Sequence, residues 1–139
     1  MTDIVITSAK RTAIGKFLGS LSGLSAIDLG KIVLNAVVDD SMIDKGMIDE
    51  VIMGQVLTGG NGQNPARQAS INAGIPISKP AHTINQVCGS GLRAVISGYQ
   101  SIKLGEFKNV ISGGQENMSL APHSIFYRDE KKISEENLL

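Results

Sequence analysis

Short apolar runs that alternate with segments of helical character limit the fold of this chain more than any other feature. The apolar runs are strand-length and lie at residues 3–9, 51–57, 81–87 and 109–112. The segments between them predict helices over residues 26–38, 65–73 and 91–104. The order β-α-β-α-β-α-β predicts an α/β fold, in which helices cross over between strands of one sheet.

Capping signals define the predicted helix ends. Ser25 and Asp28 have the spacing of a capping box ahead of the first helix. Asn64 is a typical N-cap, Pro65 suits the first helical position, and Gly74 suits the position just beyond the end of the second helix.

The third predicted helix has two contrasting faces. Its large residues are Leu92, Val95, Ile96, Tyr99 and Ile102, and its small residues are Ala94, Ser97, Gly98 and Ser101. Small residues allow other elements to pack closely, so we expect this helix to be buried on most sides.

Composition indicates one intracellular domain. The chain has 139 residues, 42% of them apolar, which suits a single core. Thirteen basic and thirteen acidic residues cancel, which argues against nucleic acid or a membrane surface as a partner. There is no apolar run of membrane-spanning length and no signal peptide, so we expect a cytoplasmic protein. We expect one domain over residues 1–123 and a divergent, charged tail over residues 124–139.

Cys88 is the candidate reactive residue. It is the only cysteine, so it cannot form an internal disulfide, and the two scattered histidines do not complete a metal site with it. It lies between a predicted strand and a predicted helix, where unpaired N–H groups and the helix dipole favour a thiolate. Gly89 and Gly91 leave room for an acyl donor, and nearby N–H groups could receive an oxyanion.

Two other interpretations of this segment stay open on the residues alone. Cys88 could be a small buried apolar residue, which is common for an unpaired cysteine. Residues 89–94 also satisfy the dinucleotide pattern Gly-x-Gly-x-x-Ala. That pattern requires an acidic residue at the end of the next strand, but position 109 is Asn, and Glu106 and Glu116 fit poorly.

The histidines and Arg67 are assigned structural roles. An extended strand would place His82 roughly 20 Å from Cys88, so we expect it to face solvent or a polar neighbour. His123 follows Pro122 in a predicted loop that could fold toward Cys88, and we interpret it first as a loop residue. Residues 62–68 lack the Gly-Lys-Ser/Thr of a phosphate loop, so we expect a structural contact for Arg67.

Several separate motifs together resemble one known family. Residues 62–68 are Gly-Gln-Asn-Pro-Ala-Arg-Gln, residues 85–94 are Asn-Gln-Val-Cys-Gly-Ser-Gly-Leu-Arg-Ala, and residues 113–119 are Gly-Gly-Gln-Glu-Asn-Met-Ser. Lys-Arg-Thr at residues 10–12, followed by Gly15, and Ala-Pro-His at residues 121–123 belong to the same set. In this order they resemble the thiolases, and most closely the biosynthetic type. Ketoacyl synthases and hydroxymethylglutaryl-CoA synthases share the fold and the nucleophile, but residues 63–68 and 113–118 favour a thiolase.

The resemblance implies a fold and a reaction. The fold would be the N-terminal half of a thiolase, with a mixed, mainly parallel sheet and a buried nucleophile helix. Cys88 would attack an acyl-CoA thioester, with its backbone N–H as an oxyanion donor. The acyl-enzyme would then condense with a second acetyl-CoA to give acetoacetyl-CoA, or the reverse thiolysis would occur. Acyl-CoA would be the substrate, without a further cofactor or metal.

This sequence departs from the family in its remaining catalytic groups. Thiolases carry a Gly-His-Pro motif and a second cysteine, but His82 precedes Thr83, His123 precedes Ser124, and Cys88 is the only cysteine. We therefore expect this chain alone to be inactive, with the remainder of the thiolase lost, cut away, or encoded separately as a C-terminal half that could be its partner. The alternative is a catalytically dead, self-associating remnant. By the same resemblance, residues 81–87 would pair two copies in a homo-oligomer.

Overall fold

A computed structural model describes residues 3–124 of the chain. In chain order its elements are α1 (Ala26–Ser41), β1 (Glu50–Gly54), α2 (Pro65–Asn72), β2 (Ala81–Ile84), α3 (Ser90–Lys103) and β3 (Val110–Gly114). Short 3-10 helices occur at Lys45–Met47 and Met118–Leu120. The α/β alternation predicted from residue 26 onward is confirmed.

The three strands form a parallel sheet in the order β2-β1-β3. Val51 pairs with Ala81 on one side and with Ile111 on the other. All five residues of β1 are buried, because this strand has a neighbour along both edges and helices on both faces. Parallel strands end at the same edge of a sheet, so the segments that follow β1, β2 and β3 lie together.

The core lies mainly between the sheet, α1 and α2. Val51 and Met53 of β1 pack into one cluster with Leu34 of α1 and Ala69 of α2. On the opposite face of β1, Gly54 lies against the start of α3, as the alternation of side chains along a strand requires.

Helix α3 is buried on one face only. Ala94 is fully buried, and Gly98 lies directly over Ser112 of β3, where a side chain would not fit. The large residues face outward, with Leu92 68% and Tyr99 51% exposed. We expected α3 to be buried on most sides. Within residues 3–124 only the small-residue face is buried, because nothing there covers the face of large residues.

The predicted helix caps are confirmed. The Ser25 hydroxyl accepts from the Asp28 N–H at 3.0 Å, and the Asp28 carboxylate accepts from the Ser25 N–H at 3.1 Å. Asn64 caps α2 through the Arg67 N–H. Gly74 has φ +81°, a left-handed conformation that suits glycine at a helix end.

The strand predicted over residues 3–9 is wrong. This segment has no regular structure, and Val5 and Ile6 are 70% and 81% exposed. Ser8 Oγ of this segment and Nζ of the adjoining Lys10 contact the Asp40 carboxylate at 2.7 and 2.6 Å. An apolar run forms a strand only where another strand pairs with it. No strand of the described sheet pairs with residues 3–9.

The predicted tail and the predicted lack of a membrane span concern different parts of the chain. Apart from Ser124, the tail predicted over residues 124–139 lies outside the described residues. Within residues 3–124, no helix combines the length and the hydropathy needed to cross a membrane.

Candidate functional site

Cys88 lies in the turn between the last residue of β2, Ile84, and the first residue of α3, Ser90. This is the predicted strand-to-helix junction, at the carboxyl edge of the parallel sheet. The thiol is exposed, which rules out the interpretation of Cys88 as a buried apolar residue.

Hydrogen bonds hold this turn in an unusual backbone conformation. Val87 has φ +51°, which β-branched residues rarely adopt. Its N–H donates to Asn85 Oδ1 at 2.9 Å, and its carbonyl accepts from Ser90 Oγ at 2.6 Å. The same hydroxyl, on a residue only 4% exposed, accepts from the Gln86 N–H at 2.8 Å. Such strain persists only where the surroundings fix the backbone, so the position of Cys88 is well defined.

Unpaired backbone donors lie at the start of α3, close to Cys88 in the chain. Helical hydrogen bonding begins where the Arg93 N–H donates to the Gly89 carbonyl at 2.8 Å, so the N–H groups of Gly91 and Leu92 are first-turn donors. Within residues 3–124, the Cys88 N–H also has no hydrogen-bond acceptor. These groups and the positive end of the α3 dipole favour a negative charge at this position.

Two glycines allow the site to form at the sheet edge. A Cβ on Gly54 would lie 2.5 Å from the backbone carbon of Ser90, and one on Gly114 would lie 3.5 Å from Gly91. The ends of β1 and β3 therefore approach the start of α3 at backbone distance. Larger residues would push α3, and Cys88 with it, away from the sheet.

The dinucleotide interpretation does not fit the structure. Glu116 follows the end of β3, but its two carboxylate oxygens accept from the N–H groups of Val56 and Leu57 at 2.8 and 3.2 Å. Asn109, at the position expected for the acid, donates through its side chain to the Met47 carbonyl. Neither residue is available to bind a ribose.

Of the two histidines, His82 pairs with Glu50 and not with Cys88. His82 Nδ1 lies 3.1 Å from Glu50 Oε1, which confirms the polar neighbour expected for it. His123 lies in the exposed, irregular segment that follows Met118–Leu120, as expected for a loop residue.

Arg67 has the structural contact that its motif predicted. Its guanidinium donates to the carbonyls of Ile77 and Lys79, which holds the loop ahead of β2. A shallow depression of about 390 Å³ beside Arg67 lies at the start of β2, at the opposite end of that strand from the Cys88 turn. Within residues 3–124, no group of three His, Cys, Asp or Glu side chains could hold a metal ion.

Sequence reasoning missed the supporting residues. Asn85 and Ser90 belong to the motif at residues 85–94, but the sequence does not predict the hydrogen bonds that their side chains make within the turn. Glu116 belongs to the motif at residues 113–119 and is a poorly fitting acid for a dinucleotide, but the sequence does not predict the two N–H groups that donate to its carboxylate. A polar residue near the end of a predicted strand was the available signal, but its hydrogen-bond partners depend on which strands pair.

Comparison with known proteins identifies the family. Residues 4–138, which include most of the predicted tail, match the family described as "Thiolase, N-terminal domain". The chain belongs to the thiolase family. The thiolase resemblance seen in the motifs is confirmed, and so is the α/β fold with a parallel sheet.

Named acetyl-CoA acetyltransferases and a solved thiolase structure are among the proteins that this chain resembles. The acetyl-CoA acetyltransferase of Cupriavidus necator is 56% identical over 125 residues, which is 90% of this chain and 32% of that protein. The one from Paracoccus denitrificans is 51% identical over 139 residues, 100% of this chain and 36% of that protein. The crystal structure of the Acat5 thiolase from Ascaris suum, in complex with coenzyme A, has a TM-score of 0.86 at 40% identity. It matches 93% of this chain and 34% of its own. The chain therefore spans about a third of the length of the thiolases that it matches.

Proposed function

We propose that this chain supplies the acyl-accepting cysteine of an acetyl-CoA C-acetyltransferase of the thiolase type. The observation that carries the proposal is the exposed Cys88 thiol, held beside unpaired first-turn N–H groups at the strand-to-helix turn. The names of the similar proteins, acetyl-CoA acetyltransferases and a thiolase in complex with coenzyme A, support acyl-CoA as the substrate.

In the proposed first step, the Cys88 thiolate attacks the carbonyl carbon of acetyl-CoA. A bond forms between the sulfur and that carbon, and the electron pair of the carbonyl moves to its oxygen. We assign the Cys88 N–H as the donor to this oxyanion, a role supported by its lack of another acceptor within residues 3–124. When the intermediate collapses, the thioester bond breaks and CoA leaves as a thiolate that takes up a proton.

The proposed second step forms a carbon–carbon bond. A second acetyl-CoA loses a methyl proton, and its carbanion attacks the acetyl group on Cys88, which releases acetoacetyl-CoA and restores the thiolate. Thiolysis runs these steps in reverse. The base for the methyl proton and the Gly-His-Pro histidine are not in this sequence, so turnover needs groups that these 139 residues do not supply. We place the reaction in the cytoplasm, because the similar acetyl-CoA acetyltransferase of Rattus norvegicus is named cytosolic.

Acetylation without turnover is the expected behaviour of the isolated chain. Incubation with acetyl-CoA should add one acetyl group to Cys88, detected by mass spectrometry of the intact chain and its peptides. Release of acetoacetyl-CoA should stay at background, because several catalytic groups are missing together. Hydroxylamine should remove the added group, as it does from a thioester.

The Cys88→Ala variant is the control and should stay unmodified. An acetyl group found on a lysine in both proteins would contradict the proposed nucleophile. Condensation by the wild-type chain that disappears in Cys88→Ala would contradict the requirement for catalytic groups beyond these 139 residues.

A further inference from the structure

Glu116 makes a two-pronged contact with the segment that follows β1. Its half-buried carboxylate accepts from the Val56 N–H through Oε2 at 2.8 Å and from the Leu57 N–H through Oε1 at 3.2 Å. The residue lies just beyond β3, yet it fixes two consecutive amides on the neighbouring chain segment. Nothing in the proposed acetyl transfer uses this carboxylate directly.

The segment at residues 55–57 also contacts the residues beyond β2. The Gln55 N–H donates to the Ile84 carbonyl at 3.1 Å, and Asn85 Nδ2 donates to the Val56 carbonyl at 3.4 Å. Asn85 Oδ1 in turn accepts from the Val87 N–H at 2.9 Å. Contacts therefore run from Glu116 through Val56 and Asn85 to the left-handed residue next to Cys88.

We propose that Glu116 is a positioning residue for Cys88, which acts through Val56 and Asn85 to hold the turn in front of the α3 N-terminus. The proposal rests on the function proposed above only in taking Cys88 as the reactive group. A carboxylate suits this position because it offers one acceptor oxygen to each of two N–H groups. Glutamine offers one oxygen, and its NH₂ would face the other N–H group.

The reactivity of Cys88 toward two alkylating reagents tests the proposal. Iodoacetate is anionic and iodoacetamide is neutral, and both react with the same thiolate, so the ratio of their rates does not depend on the thiolate fraction. The ratio reports how closely the sulfur lies to the positive end of α3. In Glu116→Gln we expect the iodoacetate-to-iodoacetamide ratio to fall about threefold, the size of a helix-terminus effect on an anion.

The direction of the change separates positioning from charge. Removing a negative charge near Cys88 would by itself raise the rate with anionic iodoacetate, so a fall requires movement of the turn. Asp49→Asn is the matched control. Asp49 Oδ2 also accepts from two consecutive amides, those of Lys108 and Asn109 at 2.9 and 3.0 Å, but it lies at the start of β1, at the other end of the sheet. The iodoacetate-to-iodoacetamide ratio of Asp49→Asn should therefore equal that of the wild type.

Asn85→Ala provides a second route to the same result. Asn85 is exposed, and the variant removes both of its side-chain bonds without changing charge, so its ratio should fall as in Glu116→Gln even if that variant folds poorly. An unchanged ratio in folded Glu116→Gln, an unchanged ratio in Asn85→Ala, or an equal fall in Asp49→Asn would overturn the proposal. Alkylation does not involve CoA, so these results stay distinct from failure of the acetylation experiment.

Discussion

At the scale of single residues, Val87 shows how local strain serves the site. A left-handed β-branched residue costs on the order of 1–3 kcal/mol, and here bonds from Asn85 and Ser90 offset that cost. The conformation turns the chain sharply between Ile84 and Ser90. As a result the Cys88 side chain stays exposed although the next helical residue, Ser90, is buried.

The stability of the chain should depend on the charge of Asp49. The N–H groups of Asn109 and Lys108 donate to this carboxylate and hold its pKa below the ordinary value of 3.8. Because folding lowers the pKa, the ionised form stabilises the fold above that ordinary value, and this contribution is lost as the pH falls through the lower folded value. Asp49→Asn should lower the free energy of unfolding by about 1 kcal/mol at neutral pH and by less in acid.

Urea unfolding at neutral pH and near pH 2.5 measures the difference. Asp39→Asn is the control, because the Asp39 side chain is exposed and has no hydrogen bond or ion pair within residues 3–124. An equal loss in Asp49→Asn at both pH values would contradict the role of the ionised carboxylate.

At the scale of elements, the predictable features were those encoded locally. Ser25 and Asp28 cap α1 with their own neighbours, and Gly74 ends α2, so the helix ends could be predicted. Cys88 was placed correctly because the apolar run before it and the glycines after it define a strand-to-helix turn. The prediction of a strand at residues 3–9 was wrong because strand pairing depends on residues that are distant in the sequence. The contacts of Glu116 could not be predicted for the same reason, because Val56 lies 60 positions earlier in the sequence.

The packing of α3 on β1 should tolerate no side chain at Gly54. In Gly54→Ala the new Cβ would lie 2.5 Å from the Ser90 backbone, so α3 must shift. We expect a loss of about 1–3 kcal/mol in the free energy of unfolding, the usual cost of overpacking. Gly23→Ala, at a position with no atom within 4 Å of the added Cβ, should leave stability nearly unchanged in the same denaturant titration. Equal stabilities for the two variants would show that α3 adjusts freely.

At the scale of the whole molecule, we expect self-association through β2. Within residues 3–124 the strand has one neighbour, β1. The Val51 N–H bonds to the Pro80 carbonyl, so the N–H groups of Ala81 and Thr83 point to the other edge of β2. Sedimentation velocity should show dimers whose fraction rises with concentration. Ala81→Pro, which removes an outward donor at the first residue of the strand, should weaken them. A monomeric wild-type chain, or dimers lost in Leu92→Lys on α3 but kept in Ala81→Pro, would contradict this interface.

The central position of β1 has a consequence during synthesis on the ribosome. Val51 is made before both of its partners, and Ile111 follows about 60 residues later. At roughly 5–20 residues per second, the most apolar strand of the sheet waits several seconds without its second neighbour. During this time β1 cannot be covered by a hairpin partner, because its neighbours are parallel and each is reached only through a crossover connection. The nascent chain should therefore bind chaperones most strongly while residues 50–54 have emerged and residues 110–114 have not.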